Sequence, residues 1–404
     1  MTPDMVSVTY SFPYIGVFLT LLVLALPLQA GGTATAHNGM ERQLGVFALL
    51  FFFIGLRGFI FSDWRSYHSF FEAAPTLFSG TDTIAQFVQT GIYSVWEKGF
   101  VFYSILIKTI CGNYFFWQAL SYAIDFFVLR WLFSTYAPGR ICLCFAFFFV
   151  FGLTLQVNLM RNIKAVLLFI ISLRFVESRK IVPFLLLNGA GCLFHISSII
   201  FLPLYFILQK GFHFTPGILI ALFLLGNVIY LAQIPWCLPM LNLLGSLMDN
   251  RLSGLIETYT ASERWAGSYG LTIGYFERAG TFILMMMYRK KLCSDTSGNI
   301  LFNCLILYLF SYLYLSEMRI LSDRIPILFS FSYWLLYPKL YGFLPKTKKV
   351  LFLCVFCLYS CLKLLFGGKS VLYSYDNALL LRWNYEERVR TLTTYYSQYE
   401  VFGK

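Results

Sequence analysis

Leu159-Met160-Arg161-Asn162-Ile163-Lys164-Ala165-Val166-Leu167-Leu168-Phe169-Ile170 sets an arginine and a lysine at the head of a run apolar enough for the interior of a bilayer. Farther on, Phe194-His195-Ile196-Ser197-Ser198 places an imidazole in the middle of a second apolar stretch. In hydrocarbon each ionisable side chain is costly, so by default it marks a site. These two segments fix both the class of fold and the first place to look for chemistry.

The composition agrees with a membrane setting. Of 404 residues, 58% are hydrophobic and only 12% charged, which excludes an ordinary water-soluble globule and a disordered chain. A net charge of +12 in a soluble domain would point to nucleic acid. In a membrane protein, Lys and Arg collect in cytoplasmic loops for topological reasons, so the lipid bilayer is the expected partner and nucleic acid is not. The ten cysteines lie almost entirely in apolar runs (Cys142, Cys144, Cys304, Cys354, Cys357 and Cys361 among them), as small buried residues rather than metal ligands. The first apolar run, Tyr10 to Leu28, has no basic leader and no good cleavage site, and reads as a retained span.

At about 17–25 apolar residues per crossing, spans fall near 10–28, 43–61, 114–134, 141–158, 162–178, 214–233, 269–288, 300–318, 324–338 and 350–366. The stretch 181–209 is flanked by Arg179-Lys180 and Lys210, and a later span closes on Arg289-Lys290-Lys291. If all three basic clusters face the cytoplasm, 181–209 must enter and leave on one side. Gly189 and Gly191 are natural breakers, so the expectation is a hairpin of two short helices with His195 near its outer turn. The sum is an all-α, polytopic transmembrane helical bundle of about twelve crossings with both termini outside. Lys339, Lys346, Lys348 and Lys349 then fall inside, as they should.

A single transmembrane domain over 1–366 is the economical division. Two outer segments interrupt it: 62–113, read as short interfacial helices, and 234–268, read as a cap or lid. Residues 367–404 form a tyrosine-rich outer tail, in which Asn377 to Leu392 reads as an amphipathic helix on the membrane surface.

Several chemically able groups share the outer depth in this arrangement. They are Arg57 and Asp63, Glu97 at the start of a short apolar helix, Arg161 with Lys164 nearly a turn later, His195 with Ser197, and Arg319 with Asp323 and Arg324. Each has a plainer explanation. Lys164, Arg278 and Arg319 can snorkel, Asp63 with Arg65 and Asp323 with Arg324 can be local ion pairs, Glu97 can merely start a helix, and a histidine on an apolar helix is commonly a packing residue. Arg161 is favoured for function because no carboxylate stands near it in sequence and topology gives an outer arginine nothing. No H-E-x-x-H, P-loop, G-x-S-x-G or D-x-D pattern is present, which counts against metalloprotease, ATPase, serine hydrolase and metal-bound nucleotide-sugar chemistry.

Taken in order, Arg57…Asp63-x-x-x-Tyr67, Glu97-x-Gly99-Phe100, Arg161-Asn162-x-x-Ala165 and Phe194-His195-x-Ser197 resemble the EpsG family of bacterial exopolysaccharide proteins, akin to the Wzy-type polymerases of O-antigen and capsule. The resemblance covers most of residues 40–340. It implies a multi-pass glycosyltransferase of the GT-C kind in the bacterial inner membrane, with its active site facing the periplasm. Such an enzyme joins oligosaccharide repeat units carried on undecaprenyl diphosphate, alongside a flippase and a chain-length regulator of the same pathway, and needs no metal or soluble cofactor.

The residue types suit that chemistry. A diphosphate leaving group needs cations more than an acid, and arginine grips phosphate oxygens with a planar fork. Arg161 and Arg324 are the first candidates, with Arg319, Arg57 and Lys164 behind them. For a base that takes the acceptor hydroxyl's proton, His195 comes first, with Asp63 and Glu97 as rivals. Trp64, Tyr67, Trp96 and Phe100 are candidates to stack on sugar faces, and Ser197 to bond a sugar hydroxyl. Rival functions are a ligase of O-antigen type, a membrane acyltransferase, and a transporter or flippase of lipid-linked glycans. The charged residues Asp125, Glu277 and Arg278, away from the shared depth, keep the last of these open.

Overall fold

The structure is a computed structural model that describes residues 4–26, 36–89, 93–208, 215–240 and 270–401. Among the described residues it is all helical, with only two isolated β-bridges, Val6 with Ser370 and Arg57 with Asn377. The segment expected as a cap or lid, 234–268, lies mostly outside the described residues. Where the sequence suggests one domain and an appended tail, the chain gathers into two compact units, Met1–Tyr205 with Tyr337–Lys404, and Phe206–Leu336.

The protein is embedded in a membrane. The helices of the first unit are α1 (Phe12–Ala25), α2 (Ala36–Leu50), α3 (Trp64–Ala73), α4 (Thr81–Gln89), α5 (Lys98–Ile110), α6 (Tyr114–Tyr136), α7 (Ile141–Val157), α8 (Met160–Glu177) and α9 (Ile181–Cys192), and the chain leaves this unit within α10 (Leu204–Leu208). Those of the second are α11 (Pro216–Ala232), α12 (Ile273–Met287), α13 (Thr296–Tyr314) and α14 (Arg319–Ile327). The division falls within α15 (Phe331–Phe343), and α16 (Lys346–Gly367) and α17 (Tyr385–Val401) return to the first unit. Three helical segments, Val8–Ala25, Thr296–Tyr314 and Lys346–Gly367, are each long and apolar enough to cross a bilayer alone. α5 and α6 meet that test only together, bent by 118° at Cys111–Asn113. Asn113 makes the bend possible by accepting the Phe116 N–H and starting α6 afresh.

The segment 62–113 folds as the short helices α3, α4 and α5 around an aromatic core of Phe59, Trp64, Tyr67, Phe70, Phe71, Phe100, Tyr114 and Trp117. Trp96 stacks on Phe70 at 4.2 Å and Trp117 on Phe71 at 5.2 Å. Lys108 of α5 donates to the carbonyls of Phe71 and Glu72 at the end of α3, where Phe71 also accepts the Ala74 N–H.

Residues 181–205 do turn back on themselves. Phe184 and Tyr205 have ring centroids 5.3 Å apart, and Ser198 Oγ donates to the Asn188 carbonyl at 3.1 Å. A continuous helix would separate Phe184 from Tyr205 by about 30 Å. The break is at Leu193–His195 rather than at the glycines, and a 3₁₀ turn over Ile196–Phe201 follows. Gly191 serves close approach, since a Cβ there would collide with Ser198 Oγ.

The tail differs from its sequence reading. Its helix starts at Tyr385, not Asn377, and the preceding residues are threaded into the first unit by two charged groups. The Asp376 carboxylate, 2% exposed, accepts the N–H groups of Asn377, Arg382 and Trp383. Arg388, 3% exposed, donates to the carbonyls of Phe59, Val371 and Ser374. An amphipathic pattern shows a polar face but not whether water or buried backbone receives it. Arg388→Met should therefore leave several buried carbonyls unpaired and cost about 3 kcal/mol or more. A melting curve in detergent that matches the parent protein's would contradict this.

In the second unit, Tyr230, Tyr275, Tyr312 and Leu313 form a small core. Arg278 lies 3.8 Å over the Tyr312 ring and donates to the Gly274 carbonyl. Glu317 binds the N–H groups of Cys237 and Leu238. Arg319 and Arg324, expected in a link between spans, lie on α14, where Arg324 is exposed.

Candidate functional site

The pairing that shapes the Arg161 end of the first unit joins residues far apart in sequence. Arg161, in the first turn of α8, places Nη1 2.6 Å from Glu97 Oε2. Glu97 is the N-cap of α5, yet its carboxylate does not cap that helix. Its other oxygen, Oε1, accepts the N–H of Ile196 at 3.1 Å. One carboxylate therefore ties α5, α8 and the turn after α9. The guanidinium also lies 4.5 Å over the Trp96 ring, and its Nε is buried with no hydrogen-bond partner. A partly exposed cation thus keeps one donor uncommitted beside two neutralising contacts.

Gly99 explains how the parts approach so closely. Phe100 N–H donates to the Leu193 carbonyl at 3.1 Å, and a Cβ on Gly99 would lie 2.7 Å from Leu193 Cβ and O. Only a bare backbone fits there.

Next to this tie, Asn162 Nδ2 lies 3.3 Å from both His195 Nδ1 and Ser197 Oγ. Ser197 N–H donates to His195 Nδ1 at 3.1 Å, and Ser197 Oγ is 2.8 Å from the same nitrogen. A backbone N–H can only donate, so Nδ1 accepts, and the neutral ring carries its proton on Nε2. His195 is thereby set as a hydrogen-bond donor at Nε2.

Asp63 stands at the N-terminus of α3, after Phe61, which adopts a left-handed backbone (φ 67°) uncommon for an aromatic residue. Asn158 Oδ1 holds this corner by accepting the N–H groups of Ser62 and Asp63. Asp63 and Arg161 both act on the Tyr67 phenol. Burial pushes that phenol above its ordinary value, Arg161 opposes the rise and Asp63 reinforces it, so the hydroxyl stays protonated at neutral pH. Arg57 is 3% exposed, donating to the Ile54 carbonyl and to Met160 Sδ. No carboxylate pairs with it among the described residues.

Of the expected site residues, the first unit thus brings together Arg161, Glu97, His195 and Ser197, with Asp63 and Tyr67 beside Arg161. Lys164 points elsewhere: its ammonium is buried 2.6 Å from Asp125 Oδ1 and 3.1 Å from the Ser121 carbonyl. Gln156 completes the shell by donating to Asp125 Oδ2. That pair satisfies a lysine that the sequence offers as a phosphate ligand, and Lys164 does not snorkel. Trp64, Tyr67 and Phe100, read as sugar-stacking candidates, are at most 5% exposed and packed in the aromatic core, so their faces are already covered. Arg319 and Arg324 belong to the second unit. Asn162 and Asn158, absent from the sequence-derived site list, hold its pieces in register, and Asn162 was signalled by its place in the Arg161-Asn162-x-x-Ala165 motif.

Residues 44–377 match the EpsG family. The chain belongs to the EpsG family. Neither a curated protein nor a solved structure matches it. The EpsG family is associated with polysaccharide polymerase activity, and this member keeps its cationic and carboxylate groups where three segments of one unit converge. Gly99→Ala should force α5 and the Leu193 turn apart, at a cost of about 1–3 kcal/mol. In full-length protein it should lower the melting temperature in detergent. An unchanged melting curve would show that the contact does not matter.

Proposed function

We propose that this protein polymerises oligosaccharide repeat units linked to undecaprenyl diphosphate, at the periplasmic face of the bacterial inner membrane. In the proposed reaction a hydroxyl oxygen of the incoming unit attacks the anomeric carbon of the chain. A new glycosidic C–O bond forms as the bond to the diphosphate breaks, and the diphosphate leaves with the electron pair. The single observation that carries the reading is the Arg161 guanidinium, partly exposed, stacked on Trp96, and left with a buried Nε without a partner. Such a group suits a leaving diphosphate, whose charge grows in the transition state.

The geometry supports the other proposed roles. His195 donates through Nε2 to a phosphate or sugar oxygen and does not take the proton. Glu97 positions Arg161, because both of its oxygens are occupied. Asp63 then becomes the base that receives the hydroxyl proton. Arg57, buried in the same unit, adds positive potential. Undecaprenyl-linked oligosaccharide and the bilayer are the partners proposed, with a flippase and a chain-length regulator acting before and beside it. The buried Lys164–Asp125 pair favours this reading over a flippase, since it removes Asp125 as an open polar step along a path.

Arg161→Ala, in protein inserted at normal levels, should lower polymerisation by about 100-fold or more and leave lipid-linked single units. His195→Gln, which can present an amide N–H near the position of Nε2, should retain more activity than His195→Ala. Equal loss in both histidine variants would return the base role to His195, and full-length ladders in Arg161→Ala would remove the arginine from the reaction.

A further inference from the structure

A cavity of about 370 Å³ lies at the opposite end of the first unit. It is bounded by the end of α1, the start of α2, the α6–α7 link, the first turn of α7 and Tyr341. α7 connects the two ends: Ile141 lines the cavity, and Asn158, just past its last residue, holds Asp63. The intervening 17 residues rise about 25 Å, close to the thickness of a bilayer's hydrocarbon.

The lining is chemically one-sided. Arg42 and Arg140 contribute guanidinium groups, and among the described residues no carboxylate lines the cavity. Arg42 gives one bond to the Leu26 carbonyl at 3.1 Å, leaving other donors over. Arg140 follows Gly139, whose positive φ of 75° turns the chain, and its head lies across the bare face of Gly342, where a Cβ would overlap it. No hydrogen bond or ion pair engages the Arg140 side chain among the described residues. Gln43 is fixed by Arg130, whose Nε is 2.9 Å from its Oε1. The first turn of α7 also opens here without a side-chain cap, adding the partial positive charge of its N–H groups. Lys349 lies over the ring of Tyr341 at 5.3 Å. Around these donors the walls are apolar, with Leu24 and Leu143 inside, and Val23, Met40 and Leu44 exposed on the helices that form the mouth.

Two cations with spare donors, an apolar wall and lipid-exposed side chains at the rim describe the needs of an amphiphile with a phosphate head. We propose that this cavity binds the phosphate headgroup of an anionic phospholipid from the leaflet at the basic end of the bundle. Arg42 and Arg140 hold the phosphate, and the acyl chains run along the exposed face of α1 and α2. The occupied site ties α1, α2 and α7 together, so binding stabilises the fold.

The test uses the full chain purified in neutral detergent and titrated separately with phosphatidylglycerol, phosphatidylcholine and inorganic phosphate. Melting temperature and native mass spectrometry are the readouts. Phosphatidylglycerol should raise the melting temperature and remain bound as discrete adducts, whereas phosphatidylcholine should do neither. The Arg42→Gln/Arg140→Gln protein should need at least tenfold more phosphatidylglycerol for the same shift. Gly342→Leu, which displaces the Arg140 head while retaining every charge, should weaken binding in the same direction and serves if the double variant does not fold. Equal stabilisation by inorganic phosphate would overturn the lipid assignment in favour of a soluble phosphate ligand. Undiminished phosphatidylglycerol binding in the variants would overturn the site.

Discussion

The Arg161 end of the first unit depends on one carboxylate doing two things at once. Glu97 faces a cation on α8 and a backbone N–H after α9, and neither contact is local in sequence. An N-cap residue ordinarily satisfies its own helix. Here the cap is given up, and the carboxylate orders the turn after α9 by accepting the Ile196 N–H. With that turn in place, Asn162 meets Ser197 and His195, and the imidazole acquires a defined tautomer. The chemistry of the site is thus a consequence of where a short helix begins.

The same economy recurs in the rest of the unit. Charged residues in an apolar setting are tolerated when each is given a complete set of partners. Lys164 and Asp125 neutralise one another with Ser121 and Gln156 around them, and Arg388 and Asp376 satisfy the backbone of the tail. Arg161 is different, because its Nε is buried without a partner while its side chain is 24% exposed. Arg140, at the other end, also keeps its donors uncommitted beside a cavity. The contrast between completed and incomplete cations separates structural charges from candidate binding groups.

Much of this was legible in the residues. Costly ionisable groups in apolar runs drew attention to Arg161 and His195, and the placement of basic clusters called for a fold-back over 181–209, of which the described part, to Tyr205, does turn back. Gly99 of the family motif has a physical reason, since Leu193 presses against its backbone, whereas Gly191, read as a breaker, instead makes room for Ser198. What could not be read were partners at long range. Glu97 is 64 residues from Arg161, and Asp125 is 39 from Lys164, so no local pattern distinguishes a paired cation from an open one. For the same reason the aromatic residues near Asp63 looked available to a sugar. Their alternation with charges is equally that of an interfacial helix and of the buried core they form. The tail was misread because a buried arginine serving backbone carbonyls leaves no periodic trace.

The central claim is that cations at the outer end hold a lipid-linked diphosphate while sugar units are joined. Its most direct measurement is the lipid-linked glycan profile of cells lacking the protein, with a membrane-impermeant label reporting which side the glycans face. The account predicts accumulation of single repeat units on undecaprenyl diphosphate that are accessible from outside. Single units trapped on the cytoplasmic side, or normal polymer, would contradict it.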